Sequence, residues 1–145
     1  MAGLRQAIRD LFRPLGADET SSHRPWRIWG ARDRGTQLLT QNLSPAQRWQ
    51  YERHGYFDVI GGDTGKRYRI RHGYQMNVEE LDQNGRRKQL LCFMPRGGLP
   101  VGAVMLAQKI ALELFESEAI RIANGSPMWD DILEMEVRLR RPIRR

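Results

Sequence analysis

Turn signals divide the stretch from residue 57 to residue 95 into short strand-like segments, and in the clearest of them polar and apolar residues alternate. The clearest alternation places arginine at every second position, at Arg67, Arg69 and Arg71. Because side chains two residues apart in a strand point to the same face, we expect the three guanidinium groups on one face and Tyr68 and Ile70 on the other. The pattern predicts a strand with a basic stripe along one face.

Two turn signals separate the strand-like segments. A turn is predicted over 61–65, and Asn84-Gly85 is typical of a tight hairpin because both residues tolerate positive φ. The expected strands are Phe57–Ile60, Lys66–His72, Met76–Asp82 and Arg87–Met94. Residues 90–94 are apolar on both faces, which predicts that the last strand is the most buried one.

Three segments carry helical spacing or helix-end signals. The longest, about 102–124, is apolar almost all round in its first half, so we expect cover on more than one side, by the sheet and the N-terminal segments or by a second subunit. Ser44 as N-cap, Pro45 at the first position and Gly55 as the stop predict a shorter helix. Residues 4–12 predict an amphipathic helix, which either packs on its own domain or lies on a membrane or a partner.

These elements predict an α+β fold. A small antiparallel meander of three or four strands is packed by the helix at about 102–124 and preceded by the short helix at 44–54, with extended termini. The chain divides into a short amphipathic N-terminal helix, an irregular segment, a compact core domain and a C-terminal extension with a basic tail, at 1–16, 17–42, 43–125 and 126–145.

The irregular segment and the C-terminal extension each carry a feature that needs a partner surface. Trp26 and Trp29 stand in a polar segment, and because a solvated linker gains nothing from tryptophan we expect them to dock on the core or on another chain. Over 132–140 apolar residues alternate as in a strand, whereas Asp130 and Asp131 ahead of the late arginines fit a helix. A short helical turn followed by a strand is favoured, and that strand would need a sheet edge.

The charge of the chain is strongly basic: its 145 residues carry 24 Lys and Arg against 17 Asp and Glu, a formal net charge of +7. Such a surplus favours an anionic partner such as nucleic acid, an acidic protein face or anionic lipid, although it can also serve solubility alone. Most of the cations are arginine, whose planar fork suits bidentate contacts to phosphate or carboxylate.

The cellular compartment is indicated by the cysteine and the apolar segments. Cys92 is the single cysteine, so no internal disulfide can form and an oxidising compartment is not indicated. The N-terminal residues lack the continuous apolar core of a signal peptide, and no apolar run is long enough for a membrane span. We expect a cytoplasmic protein, or a component of a phage or virion assembly.

No motif brings together the groups that catalysis or metal binding requires. The Gly61–Lys66 run resembles a phosphate loop, but a strand rather than a helix follows it, which favours a hairpin turn. The Asp63–Gly65 tripeptide matches aspartic proteases, but the cations after it would keep the aspartate ionised instead of letting a pair share a proton. Zinc-site spacing is missing among His23, His54, His72 and Cys92. We predict no enzyme activity, no metal and no cofactor.

The arginine stripe is the main candidate site. Phosphate contacts are predicted from the sheet and from a C-terminal cluster, namely Arg67, Arg69, Arg71, Arg87, Arg138, Arg140, Arg141, Arg144 and Arg145. Aromatic residues among the strands would suit stacking on exposed bases, namely Tyr56, Tyr68 and Tyr74. The alternative is a solvated face whose arginines are balanced by cross-strand ion pairs to Glu79, Glu80 and Asp82.

Three blocks of the core sequence carry a resemblance to known proteins. The blocks that carry the resemblance are LSPAQRWQYERHGYFDVIGGDTGKRYRI, MNVEELDQNGRR and VMLAQKIALELFESEAIRIAN, within residues 43–124. They resemble small uncharacterised bacterial proteins, some of them prophage-borne. The resemblance implies a compact folded unit in a bacterial or phage setting, and it carries over no activity, cofactor or catalytic residue.

The sequence thus predicts a non-enzymatic basic binding or accessory module with nucleic acid as its anionic partner. The alternative is a structural or assembly subunit of a larger complex, for example a phage particle. In that case Trp26, Trp29 and Trp129, together with the apolar helix, would form interfaces with other chains or further copies.

Overall fold

The computed structural model describes residues 2–12 and 26–124. The helices in this part of the chain are α1 Ala2–Phe12, α2 Trp26–Gln41, α3 Pro45–His54 and α4 Val101–Asn124. The strands are β1 Tyr56–Ile60, β2 Arg67–Arg71, β3 Val78–Leu81 and β4 Arg87–Leu91.

The strands form one antiparallel meander in the order β1-β2-β3-β4, and α4 packs on one face of it. The predicted α+β fold is therefore confirmed. Alternation in β2 turns Tyr68 and Ile70, both fully buried, toward the side where Met105 and Leu112 of α4 are also fully buried. Because burying one such side chain contributes about 1.5 to 3 kcal/mol, the alternation decides which face of β2 meets the helix.

Helix α3 begins and ends at the predicted residues. The Ser44 hydroxyl accepts a hydrogen bond from the Gln47 amide, and the Gln47 side chain accepts one from the Ser44 amide, which forms a capping box. Gly55, at φ +69°, ends the helix. The side chains of Gln47 and Gln50 then bind the carbonyl and the amide of Asp58, each at 2.9 Å, so α3 satisfies backbone groups at the outer edge of β1.

The β3–β4 hairpin forms at the predicted Asn84-Gly85 turn. Of these two residues, Gly85 alone adopts positive φ, at +76°. The Asp82 carboxylate accepts hydrogen bonds from the amides of Asn84 and Arg86 at 2.8 and 2.9 Å. Asp82, which was expected to balance an arginine across the sheet, therefore stabilises the turn instead.

Strand β3, and not β4, is the most buried strand. All four residues of β3 are buried, whereas the first three residues of β4 are exposed. The last strand of a meander has a single neighbour, and the apolar run of residues 90–94 continues past it to the buried Cys92 and Phe93. The prediction for the last strand was wrong because an apolar run does not reveal a strand's place in the sheet.

Residues 26–41 form helix α2, so the prediction of an irregular segment over 17–42 was wrong for this part, and residues 17–25 lie outside the described ones. The two glycines of α2 give it weak helix propensity, but its Leu39 is fully buried and the helix packs on α4. Helix α1 packs on α4 as well and buries Ile8. Helix α4 is thus covered by helices as well as by the sheet, as its apolar sequence predicts.

The close approach of α2 to α4 depends on Gly102, where a Cβ would overlap the backbone of Gly35. We predict that Gly102→Ala lowers the free energy of unfolding by about 2 to 3 kcal/mol, because α2 must move away. Urea denaturation measures this change. Gly30→Ala in α2 is the control: its Cβ would meet open space, so it should stabilise the helix by about 0.5 to 1 kcal/mol. Equal stabilities of the two variants would contradict the packing argument.

Candidate nucleic-acid interface

The outer face of the sheet, opposite α4, carries the predicted arginine stripe. The strand register sets Arg69 between Asp58 on β1 and Glu79 on β3, and Arg87 of β4 lies on the same face. Helices α1 and α2 pack on α4, and α3 packs on β1. Ile60 on the outer face is 56% exposed. Glu79 and Leu81 of β3 are buried on this face, so within residues 2–12 and 26–124 its open part is formed by side chains of β1, β2 and β4.

Arg69 is held firmly within the sheet. Its Nε and Nη2 donate to the two oxygens of Asp58 at 2.8 and 3.2 Å, and its guanidinium lies 4.0 Å above the ring of Tyr56. The hydrogen bonds to Asp58 raise the pKa of Arg69. Both carboxylate oxygens of Asp58 are thus taken by the Arg69 guanidinium, which also lies over the Tyr56 ring, so Arg69 serves the fold first.

Arg71 and Arg87 share one carboxylate. Arg71 Nε lies 2.9 Å from a Glu79 oxygen and Arg87 Nη1 lies 3.9 Å from it, while the Glu79 side chain is 6% exposed. The side chains of Arg71 and Arg87 are 47% and 58% exposed. The predicted cross-strand pairs to Glu79 are therefore present, but a guanidinium has five donors, so both arginines keep donors for an added anion.

Arg67 has a different environment from the other arginines of the stripe. It is half-buried, and its Nε is buried without a hydrogen-bond partner. Its Nη2 lies 2.8 Å from the place of a Cβ on Gly85, so its guanidinium rests against the β3–β4 turn. Within the described residues Arg67 forms no ion pair, which leaves its charge uncompensated there.

The remaining predicted site residues are on the other side of the sheet, in helix α2 or outside the described residues. Tyr68 was predicted to stack on bases, but it is fully buried on the α4 side, since it alternates with the outward arginines. Trp26 and Trp29 lie in helix α2. Trp129 and the C-terminal arginines lie outside the described residues, namely Arg138, Arg140, Arg141, Arg144 and Arg145.

A chain of aromatic rings, which the sequence analysis did not identify, extends from this face onto α3. The aromatic run consists of Trp49, His54 and Tyr56. The ring centroids of Trp49 and His54 lie 5.6 Å apart, and those of His54 and Tyr56 lie 5.4 Å apart with an interplanar angle of 16°. Arg53 lies 5.8 Å from the centre of the Trp49 ring, a pairing that the i,i+4 spacing on α3 could have signalled.

The β1–β2 loop binds a carboxylate of α4. The amides of Asp63 and Thr64 donate to one Glu116 oxygen at 2.9 and 2.7 Å. The Thr64 hydroxyl and the Tyr68 hydroxyl donate to the other, the latter at 2.7 Å. The turn predicted over 61–65 is confirmed, but the loop does form an amide cradle for an anion, and the side chain of Glu116 occupies it.

The same loop enters a break in α4 at Phe115, whose φ of −143° is not helical. The amide of Gly62 donates to the Leu112 carbonyl at 3.0 Å, and the Asp63 carboxylate accepts from the Ser117 amide at 2.8 Å. In an unbroken helix these two groups would bond to the amide of residue 116 and the carbonyl of residue 113. The loop therefore supplies hydrogen-bond partners at the kink.

The ionisation of Glu116 follows from these contacts. Burial disfavours its charged form, but the hydrogen bonds from Thr64, Tyr68 and the loop amides outweigh burial and lower the pKa of Glu116. Burial, together with the hydrogen bond to Glu116, raises the pKa of Tyr68. The neutral Tyr68 phenol thus donates a hydrogen bond to the ionised Glu116 carboxylate, and this bond joins β2 to α4.

No family model, curated protein or solved structure matches this chain. Among residues 2–12 and 26–124, no three His, Cys, Asp or Glu side chains come together as metal ligands would. In the same residues no helix is both long and apolar enough to cross a membrane.

We predict that Glu116→Gln lowers the free energy of unfolding at neutral pH by about 2 to 3 kcal/mol, because donors aimed at a carboxylate then meet an amide. Since the pKa of Glu116 is lowered on folding, its contribution is present above its ordinary value of 4.5 and is lost as the pH falls through the folded-state value. Urea denaturation between about pH 6 and pH 3 should show a smaller loss of stability for the variant than for the natural protein.

Glu113→Gln is the matched control for this prediction. Glu113 lies on the same helix and pairs with Lys109 at 2.7 Å, but its side chain is 31% exposed. Its replacement should cost about 0.3 to 0.5 kcal/mol. Parallel pH profiles for Glu116→Gln and the natural protein would refute the role given to the Glu116 charge.

Proposed function

We propose that this protein is a non-enzymatic binding module that takes nucleic acid on the outer face of its sheet. The observation that carries the proposal is the charge of that open face. Four arginines stand there against the two carboxylates of Asp58 and Glu79, so two cations remain in excess. A surplus of planar, half-exposed guanidinium groups suits an array of phosphates.

The spacing of the arginines supports a linear polyanion. A strand repeats its side-chain direction about every 6.8 Å, so Arg67, Arg69 and Arg71 form an evenly spaced row. A nucleic-acid strand offers an evenly spaced row of phosphates. Because Arg69 is bound to Asp58, the phosphate contacts fall mainly to the other arginines of the face, Arg67, Arg71 and Arg87.

The alternative function, an assembly subunit, is supported by exposed apolar side chains away from the sheet. Ile110 and Leu114 are 39% and 63% exposed and stand one turn apart on α4. Leu4 of α1, which packs on the same helix, is 54% exposed. Exposed apolar side chains that stand together mark contacts with other chains more often than isolated ones do.

We predict that the protein binds labelled oligonucleotides in fluorescence anisotropy and that affinity falls steeply with salt, because neutralised phosphates release counterions. Arg71→Gln with Arg87→Gln should weaken binding and reduce the slope of log K against log salt by about 1.4 to 1.8. Glutamine is chosen because it still hydrogen-bonds the buried Glu79. Arg32→Gln with Arg34→Gln removes the same charge from exposed positions on α2 and should change the slope little. Absence of binding at low salt would reject the proposal.

For the assembly function, light scattering on the purified protein should show a defined oligomer. Ile110→Glu with Leu114→Glu should then dissociate it, because the two charges would be buried in the contact. Leu38→Glu, at a position on α2 that is 47% exposed, is the control and should leave the oligomer intact. A monomer at all concentrations would exclude this alternative.

A further inference from the structure

Trp49 is a large apolar side chain that is exposed to solvent near the outer face of the sheet. It stands on α3, and 58% of its surface is exposed. Its ring contacts within the described residues are with its helical neighbours Arg53 and His54. A tryptophan has a large apolar surface to bury, and a helix that only covered the β1 edge would not need one at this position.

The aromatic run connects Trp49 to the arginines of the outer face. His54 stacks on Tyr56, and both Arg69 and Arg71 lie over the Tyr56 ring, at 4.0 and 5.4 Å from its centre. The run therefore starts at an exposed indole on α3 and ends under two guanidinium groups. Because His54 stacks on Tyr56, and Arg69 above Tyr56 is fixed by hydrogen bonds to Asp58, the surface is preformed.

The charges around the aromatic run limit which classes of molecule could bind there. Arg53 and Arg71 border it, and the carboxylates of the neighbouring strands are already paired, Asp58 with Arg69 and Glu79 with Arg71. A partner that fits must bring both negative charge and flat π faces. An acidic peptide brings charge with few rings, and a duplex keeps its base faces inside the stack, whereas single-stranded nucleic acid presents both.

From this juxtaposition we infer that the protein is selective for single-stranded nucleic acid and that an unpaired base stacks on the Trp49 indole. Arg53 meets the phosphate next to that base, and Arg71, at the other end of the aromatic run, meets a phosphate further along the strand. This inference rests on the proposed function, since it adds a base-stacking site to the phosphate-binding face. It assigns to α3 a role in recognition in addition to its role at the β1 edge.

The test compares two polyanions, one with bases and one without. Fluorescence anisotropy measures binding of a labelled oligothymidylate of about 15 nucleotides. Competition with inorganic polyphosphate measures the contribution of charge alone. Trp49→Ala should weaken oligothymidylate binding about tenfold and leave polyphosphate binding unchanged, and Trp49→Phe should keep most of the affinity. Leu114→Ala, at another exposed apolar position, should change neither, and an unchanged melting temperature confirms that each variant is folded.

The outcomes separate this inference from the proposed function. If the natural protein binds neither polyanion, the proposed function fails and the stacking site fails with it. If it binds both, and Trp49→Ala affects them equally or not at all, the stacking site alone is refuted. Equal affinity for a duplex of the same length, or binding of poly-glutamate that depends on Trp49, would also overturn the inference.

Discussion

The carboxylate of Glu116 joins the sheet to the long helix, and the arrangement of the remaining elements depends on this contact. A buried charge is costly unless several donors compensate it, and here two loop amides and two hydroxyl groups do so. The loop can approach because residues 61 and 62 are glycines: a Cβ on Gly61 would overlap the Glu116 carboxyl group, and one on Gly62 would overlap the Glu113 carbonyl. The kink at Phe115 is where the loop and the helix exchange hydrogen bonds.

Together with the burial of Tyr68 and Ile70, this contact determines which way β2 faces, and thereby where the arginines lie. Tyr68 must point toward α4 to reach Glu116, so its neighbours Arg67 and Arg69 point to the other side. A slip of one residue in the register would exchange the two sets and bury guanidinium groups against the helix. The basic outer face is therefore a direct consequence of the packing that stabilises the core.

The arginines of that face differ in how far contacts within the sheet occupy them. Arg69 has both of its strong partners within the sheet, Asp58 and the Tyr56 ring, and so contributes to the fold. Arg71 and Arg87 share a single carboxylate and remain half-exposed, which suits them to meet an anion. An ion pair seen in the folded chain thus does not exclude a binding role, because what matters is how many donors stay available.

Local sequence signals determined the elements between residues 44 and 124: the cap at Ser44, the stop at Gly55, the Asn84-Gly85 turn and the alternation in β2 each act within a few residues. They also determined that the arginines share one face. Tertiary structure alone decided the helical state of residues 26–41, the edge position of β4, and the partners of each arginine. It also decided that Glu116 contacts a loop 52 residues earlier in the chain, and that the rings of Trp49, His54 and Tyr56 contact one another in the aromatic run. These features depend on contacts between distant segments, and periodicity, which reports only on neighbours in the chain, carries no signal for them.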